Sequence, residues 1–485
     1  MLPPRKEETK KTSNKQHRTS NVQGGKGNYF DVRCSMLVVR RFPSAPVGAL
    51  KHLHALCRAL HFRPFMEIRT HHDSFAALRI REIRYFLGSV AFFTLANRAA
   101  AVLIGLQIYK LTHSALALGW LGLVEAIPAL SLAFFGGHVA DRVERRRVLL
   151  WTRAVSVLCA VLLAVISWNP LTANVYYLYA VIFLAGIARG FSDPAQAGFE
   201  AQVVPERLTV NASSWIGSTW VSCAVIGPAA VGFAYDGLGI VSSYAAIAAC
   251  FALSWGCTAL IAPKPLPPIV HEESMMESIL GGLKFVLREQ ALVGAMALDL
   301  FAVLFGGAVA LLPIYATDIL HVGARGLGLL QAATYAGSLL VMMWSTRRPP
   351  IRHAGRNLLV CVAGFGICII VFALSRNFLL SLLALALSGV FDGVSMVIRR
   401  SIVRLLSPDR MRGRIAAVNM VFIGASNEIG AFESGVAAHW LGAVPAVWVG
   451  GVATLFVVAA TWTAAPRLRR LGFDPHQMTR LEHDA

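Results

Sequence analysis

The sequence predicts an all-α polytopic membrane protein with twelve transmembrane helices in two six-helix halves. Composition is the first reason. Of 485 residues, 56% are hydrophobic and only 15% charged, with a mean hydropathy of +0.59, whereas about a quarter of a typical soluble domain is charged. The second reason is that long apolar runs recur from residue 85 to residue 464, each of them able to cross a bilayer. The third is that basic residues concentrate in every second turn between those runs.

Residues 1–80 stand apart as a basic, mostly disordered N-terminal tail. Up to Arg84 there are 17 Lys and Arg against 6 Asp and Glu, with Gly24-Gly25 and polar stretches between them. Such a composition buries too little apolar surface to fold. The tail has no long apolar segment of the secretory kind, and its mixed Lys/Glu start does not match a transit peptide. Met66 and Met36 are internal methionines ahead of the first span, so a later translation start, at Met66, is an expectation that N-terminal sequencing tests.

The first half, 81–262, holds spans at 85–108, 115–139, 148–168, 171–191, 213–235 and 239–262. A connector, 263–290, follows with Pro263, Pro265, Pro267 and Pro268. Within it Met275, Ile279, Leu283 and Val286 recur at helical spacing, which reads as an interfacial amphipathic helix. The second half, 291–464, holds spans at 291–316, 326–344, 357–375, 378–398, 415–438 and 441–464, and 465–485 form a tail.

Charge then sets orientation. With both termini cytoplasmic, the inner loops and C-terminal tail hold 23 Lys and Arg, counting Arg189 at a span end; the outer loops hold 3, namely Lys110, Arg325 and Arg376. That asymmetry is the positive-inside pattern. It accounts for much of the net charge of +19 as topology and attraction to anionic lipid, so no nucleic-acid partner is expected. The eight cysteines contain no Cys-x-x-Cys. Cys250 with Cys257, and Cys361 with Cys368, each share a helix face and read as small buried apolar residues. No metal site is expected.

Two internal echoes divide the chain. Leu118-Gly119-x-Leu121 recurs as Leu327-Gly328-x-Leu330, with Arg147 answered by Arg356, and Pro205-Glu206-Arg207-Leu208 recurs as Pro408-Asp409-Arg410-Met411. Separations near two hundred residues suit two parallel six-span repeats.

Between the second and third spans lies Gly137-His138-Val139-Ala140-Asp141-Arg142-Val143-Glu144-Arg145-Arg146-Arg147. Its Gly-x-x-x-Asp-Arg-x-x-Arg-Arg spacing resembles the loop signature of the major facilitator superfamily. Leu298-Asp299-Leu300-Phe301, Leu312-Pro313-Ile314-Tyr315 and Phe422-Ile423-Gly424-Ala425-Ser426-Asn427-Glu428 resemble its enterobactin-exporter-like, or transmembrane secretion effector, branch. The resemblance runs from about residue 80 to residue 470. It implies alternating access between the halves, in a bacterial cytoplasmic membrane. It also implies that Gly137, Asp141, Arg142, Arg145 and Arg146 form a conformational gate, with Asp141 facing the start of the eleventh span when the inner end closes. The other reading makes them positive-inside anchors. Glu144 stands where the family usually has Gly, and the second-half echo, 347–356, lacks the acid. Gly227-Pro228-Ala229-Ala230-Val231-Gly232 resembles the antiporter signature with Val231 in place of a Gly; Gly217 lies near the signature's first Gly. Gly227 and Pro228 would be a hinge that seals the cavity, or an ordinary kink.

Charged groups inside spans are expensive and so mark sites. Arg98 and Glu125 both fall near the midplane at about 1.5 Å per residue. They form either a static pair or a proton-responsive carboxylate tuned by an arginine. Asp299 and Asp392 either couple protons or partner basic residues such as Arg399 or Arg400. Glu428 lines the cavity or, with Asn427 and Glu433 among small residues, acts as interhelical glue.

No Gly-x-x-x-x-Gly-Lys-Ser/Thr, Ser/His/Asp or His-Glu-x-x-His arrangement is present, so no nucleotide or other cofactor and no enzyme activity is expected. The reading is a secondary transporter that exports a small amphipathic molecule, such as a drug or siderophore, in exchange for protons, and works as a monomer. The alternatives are an importer, facilitator or lipid flippase on the same fold, and a non-transporting membrane sensor.

Overall fold

The computed structural model describes residues 73–169, 174–265, 275–345, 353–408 and 411–472. Met36, Met66, most of the tail, Pro267, Pro268, the tetrapeptide's Asp409 and Arg410, and 347–352 lie outside them. The helices are α1 Arg81–Thr112, α2 Ala115–Arg142, α3 Arg145–Trp168, α4 Val175–Val203, α5 Thr209–Ala259, α6 Met275–Arg288, α7 Gln290–Phe305, α8 Gly323–Ser345, α9 Ala354–Leu374, α10 Phe378–Leu406, α11 Arg412–Leu441 and α12 Ala443–Ala464. In hydrocarbon each span must satisfy its own backbone, which makes an apolar run helical. Polar side chains set the starts: Ser114 accepts from the Ala117 amide, Asn174 from Tyr176, and Asn377 from Leu379 and Leu380.

Ten segments among the described residues are long and apolar enough to cross a membrane. One of them, Glu206–Ala259, contains two predicted spans, and α11 supplies the remaining predicted span with 30 helical residues. Twelve spans in two halves describe the chain.

Several boundaries differ from expectation. The fifth and sixth spans meet in α5 at one residue, Gly239, with φ 81° and ψ 177°, a conformation open essentially to glycine alone. Gly442 does the same between α11 and α12, with φ 89° and ψ 157°. The two glycines are separated by the same number of residues as Pro205 and Pro408, a further echo between the halves. The fourth span continues to Val203 instead of stopping near 191. The seventh breaks after Phe305 at Gly306-Gly307 and resumes through irregular turns to Ile319. Residues 73–80, assigned to the tail, are ordered: Asn211 Oδ1 accepts from the Ala77 amide at 3.1 Å, and Trp215 Nε1 donates to the Ser74 carbonyl at 2.9 Å. The connector helix α6 packs on protein, with Val286 buried in the second half's core.

In each half the second and fourth spans of that half meet backbone to backbone. A Cβ on Gly136 of α2 would stand 2.1 Å from the Gly190 carbonyl of α4; one on Gly389 of α10 would stand 1.9 Å from the Thr334 carbonyl of α8. Small residues at such crossings let backbones touch where hydrophobic driving force is absent.

Between the halves the packing is asymmetric along the helices. Short turns make successive spans alternate in direction, so each span has an end near the chain termini and a far end. At the far end one core includes residues of both halves, among them Leu103, Leu106, Tyr244, Tyr315, Leu327 and Phe372. Among the described residues the near end holds two cores. One holds Ile83, Phe86, Leu149 and Phe199 of the first half, the other Leu292, Leu358, Ile398 and Ile415 of the second. The halves are fused at the far end and separate at the near end.

The far-end seam is glycine-lined. A Cβ on Gly435 of α11 would lie 2.6 Å from Gly119 Cα of α2, and one on Gly328 of α8 would lie 2.3 Å from the Pro228 carbonyl of α5. Overpacking such a contact costs about 1–3 kcal/mol, which moves a two-state balance by about five- to 150-fold. Gly435→Val is therefore expected to open the far end. In a cysteine-free background, a cysteine at the buried seam position Val231 should then react faster with a membrane-impermeant maleimide.

Candidate functional site

Where the fused and separate regions meet, α2, α4 and α11 converge on a group of charged side chains. Arg189 of α4 donates through Nη1 to Glu125 of α2 at 2.9 Å and to Glu428 of α11 at 3.3 Å. Its Nε stands 3.5 Å from Asp193, one turn on. Glu125 and Arg189 belong to the first half and Glu428 to the second, so one guanidinium ties the halves together inside the membrane. A small cavity of about 80 Å³ opens beside them, lined by Ala129, Leu130, Arg189, Asp193, Gly424 and Glu428.

This arrangement corrects the static Arg98–Glu125 pair. Depth along the helix placed both residues near the midplane, but α2 packs against α4 and α11, and the nearest cation on those helices is Arg189. Arg98 instead donates to the Tyr335 hydroxyl of α8 at 2.9 Å. Its guanidinium stands 5.1 Å from the Trp220 ring and 5.2 Å from the Tyr335 ring. That is a second contact across the halves, made by α1, α5 and α8.

Asp299 and Asp392 meet a different arginine. Arg399 of α10 forms an ion pair with Asp299 of α7, and its Nη2 lies 3.7 Å from Asp392. All three belong to the second half, next to its separate near-end core, so this group holds α7 to α10.

The loop after α2 is held within its own half. Arg145 donates to Asp141 at 3.1 Å, to the Ala140 carbonyl at 3.1 Å and to the Gly198 carbonyl at 3.0 Å. Arg146 donates to the Ala259 carbonyl at 2.7 Å. A Cβ on Gly198 would lie 2.6 Å from the Arg145 guanidinium, so that glycine makes room for the arginine. Asp141 is 71% exposed with Arg145 as its partner, Arg142 is exposed, and Gly137 lies in the last turns of α2. In this conformation Asp141 pairs within its own loop.

Gly227 and Pro228 lie inside α5, where the backbone keeps helical torsion angles. A Cβ on Gly227 would stand 2.7 Å from the Leu95 carbonyl of α1. Together with the Pro228 carbonyl against Gly328, this places the pair at a crossing between helices of both halves.

Sequence reasoning did not identify the far-end polar contacts. The Tyr109 hydroxyl of α1 donates to Asp318, and Arg325 Nε lies 3.1 Å from Asp236; both contacts join the halves. Tyr109, Asp236, Asp318 and Arg325 read in sequence as ordinary turn residues. Arg189 carried a signal that was available, an acid four residues later at i,i+4 spacing.

A family model described as Major Facilitator Superfamily matches residues 86–354. The enterobactin exporter EntS of Escherichia coli (strain SMS-3-5 / SECEC) is 25% identical over 384 residues, covering 78% of this chain and 90% of its own. That of Shigella boydii serotype 18 is 25% identical over 389 residues, with the same coverage. Among solved structures, a POT family transporter in complex with 5-aminolevulinic acid aligns with a TM-score of 0.65 at 12% identity, covering 80% of this chain and 96% of its own. The nucleoside transporter NupG aligns with a TM-score of 0.64 at 12% identity, covering 79% and 99%. At such identities the solved structures speak to the fold alone.

Proposed function

The chain belongs to the major facilitator superfamily, and on that premise we propose that it exports a small amphipathic molecule across the bacterial cytoplasmic membrane in exchange for protons. It is a multi-pass membrane transporter and not an enzyme. Export, and a drug- or siderophore-class cargo, are inferred from the enterobactin exporters it resembles. No bound cofactor is assigned, and the energy source is the proton gradient.

The observation that carries the reading is the Arg189 tie at the boundary between the fused and the separate cores. The basic residues of the near-end loops, still far in excess after Arg189 is moved into the membrane, support reading the near end as cytoplasmic. The conformation is then open inward. Glu125, Asp193 and Glu428 compete for one guanidinium. A proton on Glu125 or Glu428 neutralises one arm of the tie between the halves and weakens the hold on the far end. As the far end parts, the near end closes and brings the Asp141 loop toward the start of α11. The loop thus acts as the gate of the outward-open state.

Everted membrane vesicles test this directly. Cargo uptake energised by respiration is expected to collapse on adding a protonophore, and Glu125→Gln is expected to abolish the gradient-driven component. Uptake indifferent to the protonophore would remove proton coupling. Cargo moving out of everted vesicles against its gradient would make the protein an importer.

A further inference from the structure

We propose that Arg98, Trp220 and Tyr335 form a docking site for an aromatic cargo bearing an acidic group. The proposal rests on reading the space between the halves as the transport site, and it adds the chemical class of what binds there.

A guanidinium within a membrane span is costly unless it is paired. Arg189 and Arg399 each have carboxylate partners. Arg98 and Arg153 do not. Arg153 is fully buried against Gln196 and Phe93, whereas the hydrogen-bond acceptor of the part-exposed Arg98 is the neutral Tyr335 phenol, and two ring faces flank it. Among the described residues no carboxylate forms an ion pair with it, because Glu125 and Glu428 are held by Arg189. Guanidinium offers five N–H donors in a plane that matches a carboxylate with two parallel bonds. A charge-assisted pair of that kind is about twice as strong as the bond to a neutral hydroxyl, so an anionic group would displace the Tyr335 phenol as acceptor.

Space and shape support a ring beside the anion. Trp220 is 40% exposed despite its size, and Tyr335 meets it edge-on at 6.4 Å between centroids. Three residues before Trp220 on α5, and so close to the same helix face, Gly217 opens on free space: a Cβ there would meet nothing within 4 Å. A flat ring seated over Gly217 could stack on Trp220 while its acid reaches Arg98. Arg98 and Trp220 come from the first half and Tyr335 from the second, so a bound acid would replace one of the contacts between the halves.

Tryptophan fluorescence of the purified full-length protein, titrated with 1-naphthoate, 1-naphthamide and 1-naphthylmethylammonium, tests the class. The acid is expected to bind at least about tenfold more tightly than its neutral amide, the value of one charge-assisted over one neutral bond. Arg98→Gln should erase that preference, and Gly217→Leu should weaken acid and amide together. Equal binding of acid and amide, an unaltered preference in Arg98→Gln, tighter binding of the ammonium, or no acid binding at millimolar concentration would each overturn the proposal. Binding is read without a gradient. Acid selectivity in a protein whose vesicles ignore a protonophore would therefore uphold the cargo class and sink proton coupling. Gradient-driven export without acid selectivity would do the reverse.

Discussion

Arg189→Gln is expected to lower gradient-driven transport by about ten- to hundredfold while the protein still inserts. Removing one member of a fully buried ion pair costs about 3–5 kcal/mol. The side chains of Arg189, Glu125 and Glu428 are 41%, 33% and 21% exposed, so water reduces this to about 1–3 kcal/mol. That energy falls on the inward-open conformation, because Arg189 joins Glu125 of one half to Glu428 of the other. The double variant Arg189→Gln with Glu428→Gln should regain stability, since no carboxylate of the second half is left facing a neutral partner. It should not regain proton-driven transport. Initial rates in everted vesicles, with thermal stability of the four members of the cycle, separate the two effects. If the double variant transported as well as the native protein, the tie would be structural.

The largest expected loss of stability is at Arg399. Its side chain is 14% exposed and that of Asp299 is 11%, so the full cost of about 3–5 kcal/mol applies when Arg399→Ala leaves Asp299 without its partner in the membrane. Low yield and aggregation on size-exclusion chromatography are the expected signs. Replacing all three members, as Asp299→Leu and Asp392→Asn with Arg399→Met, should restore a monodisperse protein, because a buried ionic group is often exchanged for neutral residues at little cost once no charge is left unpaired. All three side chains lie within the second half, so the restored variant should still respond to a proton gradient. Loss of coupling in a well-folded triple variant would instead place Asp299 or Asp392 on the proton path, the other role their sequence positions allowed.

The architecture was legible because the bilayer imposes it. A run of apolar residues long enough to cross hydrocarbon has few alternatives to a helix, so the spans could be read from length alone. Their ends were less clear where charges sit inside a helix. Arg189 and Asp193 looked like the start of a loop, yet their i,i+4 pairing carries charge within α4 and the helix continues to Val203. The same difficulty affected the midplane. Rise per residue gives the depth of Arg98 and Glu125 but not the direction each side chain takes around its helix. Helix adjacency, which sequence does not supply, sent Glu125 to Arg189 and Arg98 to Tyr335. Trp220 and Tyr335 were invisible for another reason, since aromatic residues are common in membrane helices and only position distinguishes these two. The far-end pair Asp236 and Arg325 comes from turns where charge is ordinary, and its two members lie in different halves.

The Asp141 loop and its neighbours identify the machine, but the account turns on whether the halves exchange which end is fused, with Arg189 as the tie. Spin labels at Leu111 and Leu374 report across the far end, and labels at Arg207 and Arg404 report across the near end. Double electron–electron resonance on both pairs should be compared between the native protein and Glu125→Gln with Glu428→Gln, which mimics protonation of both carboxylates. The account predicts that this variant lengthens the far-end distance and shortens the near-end one. Unchanged distances at both ends, or movement in the same direction at both, would contradict it.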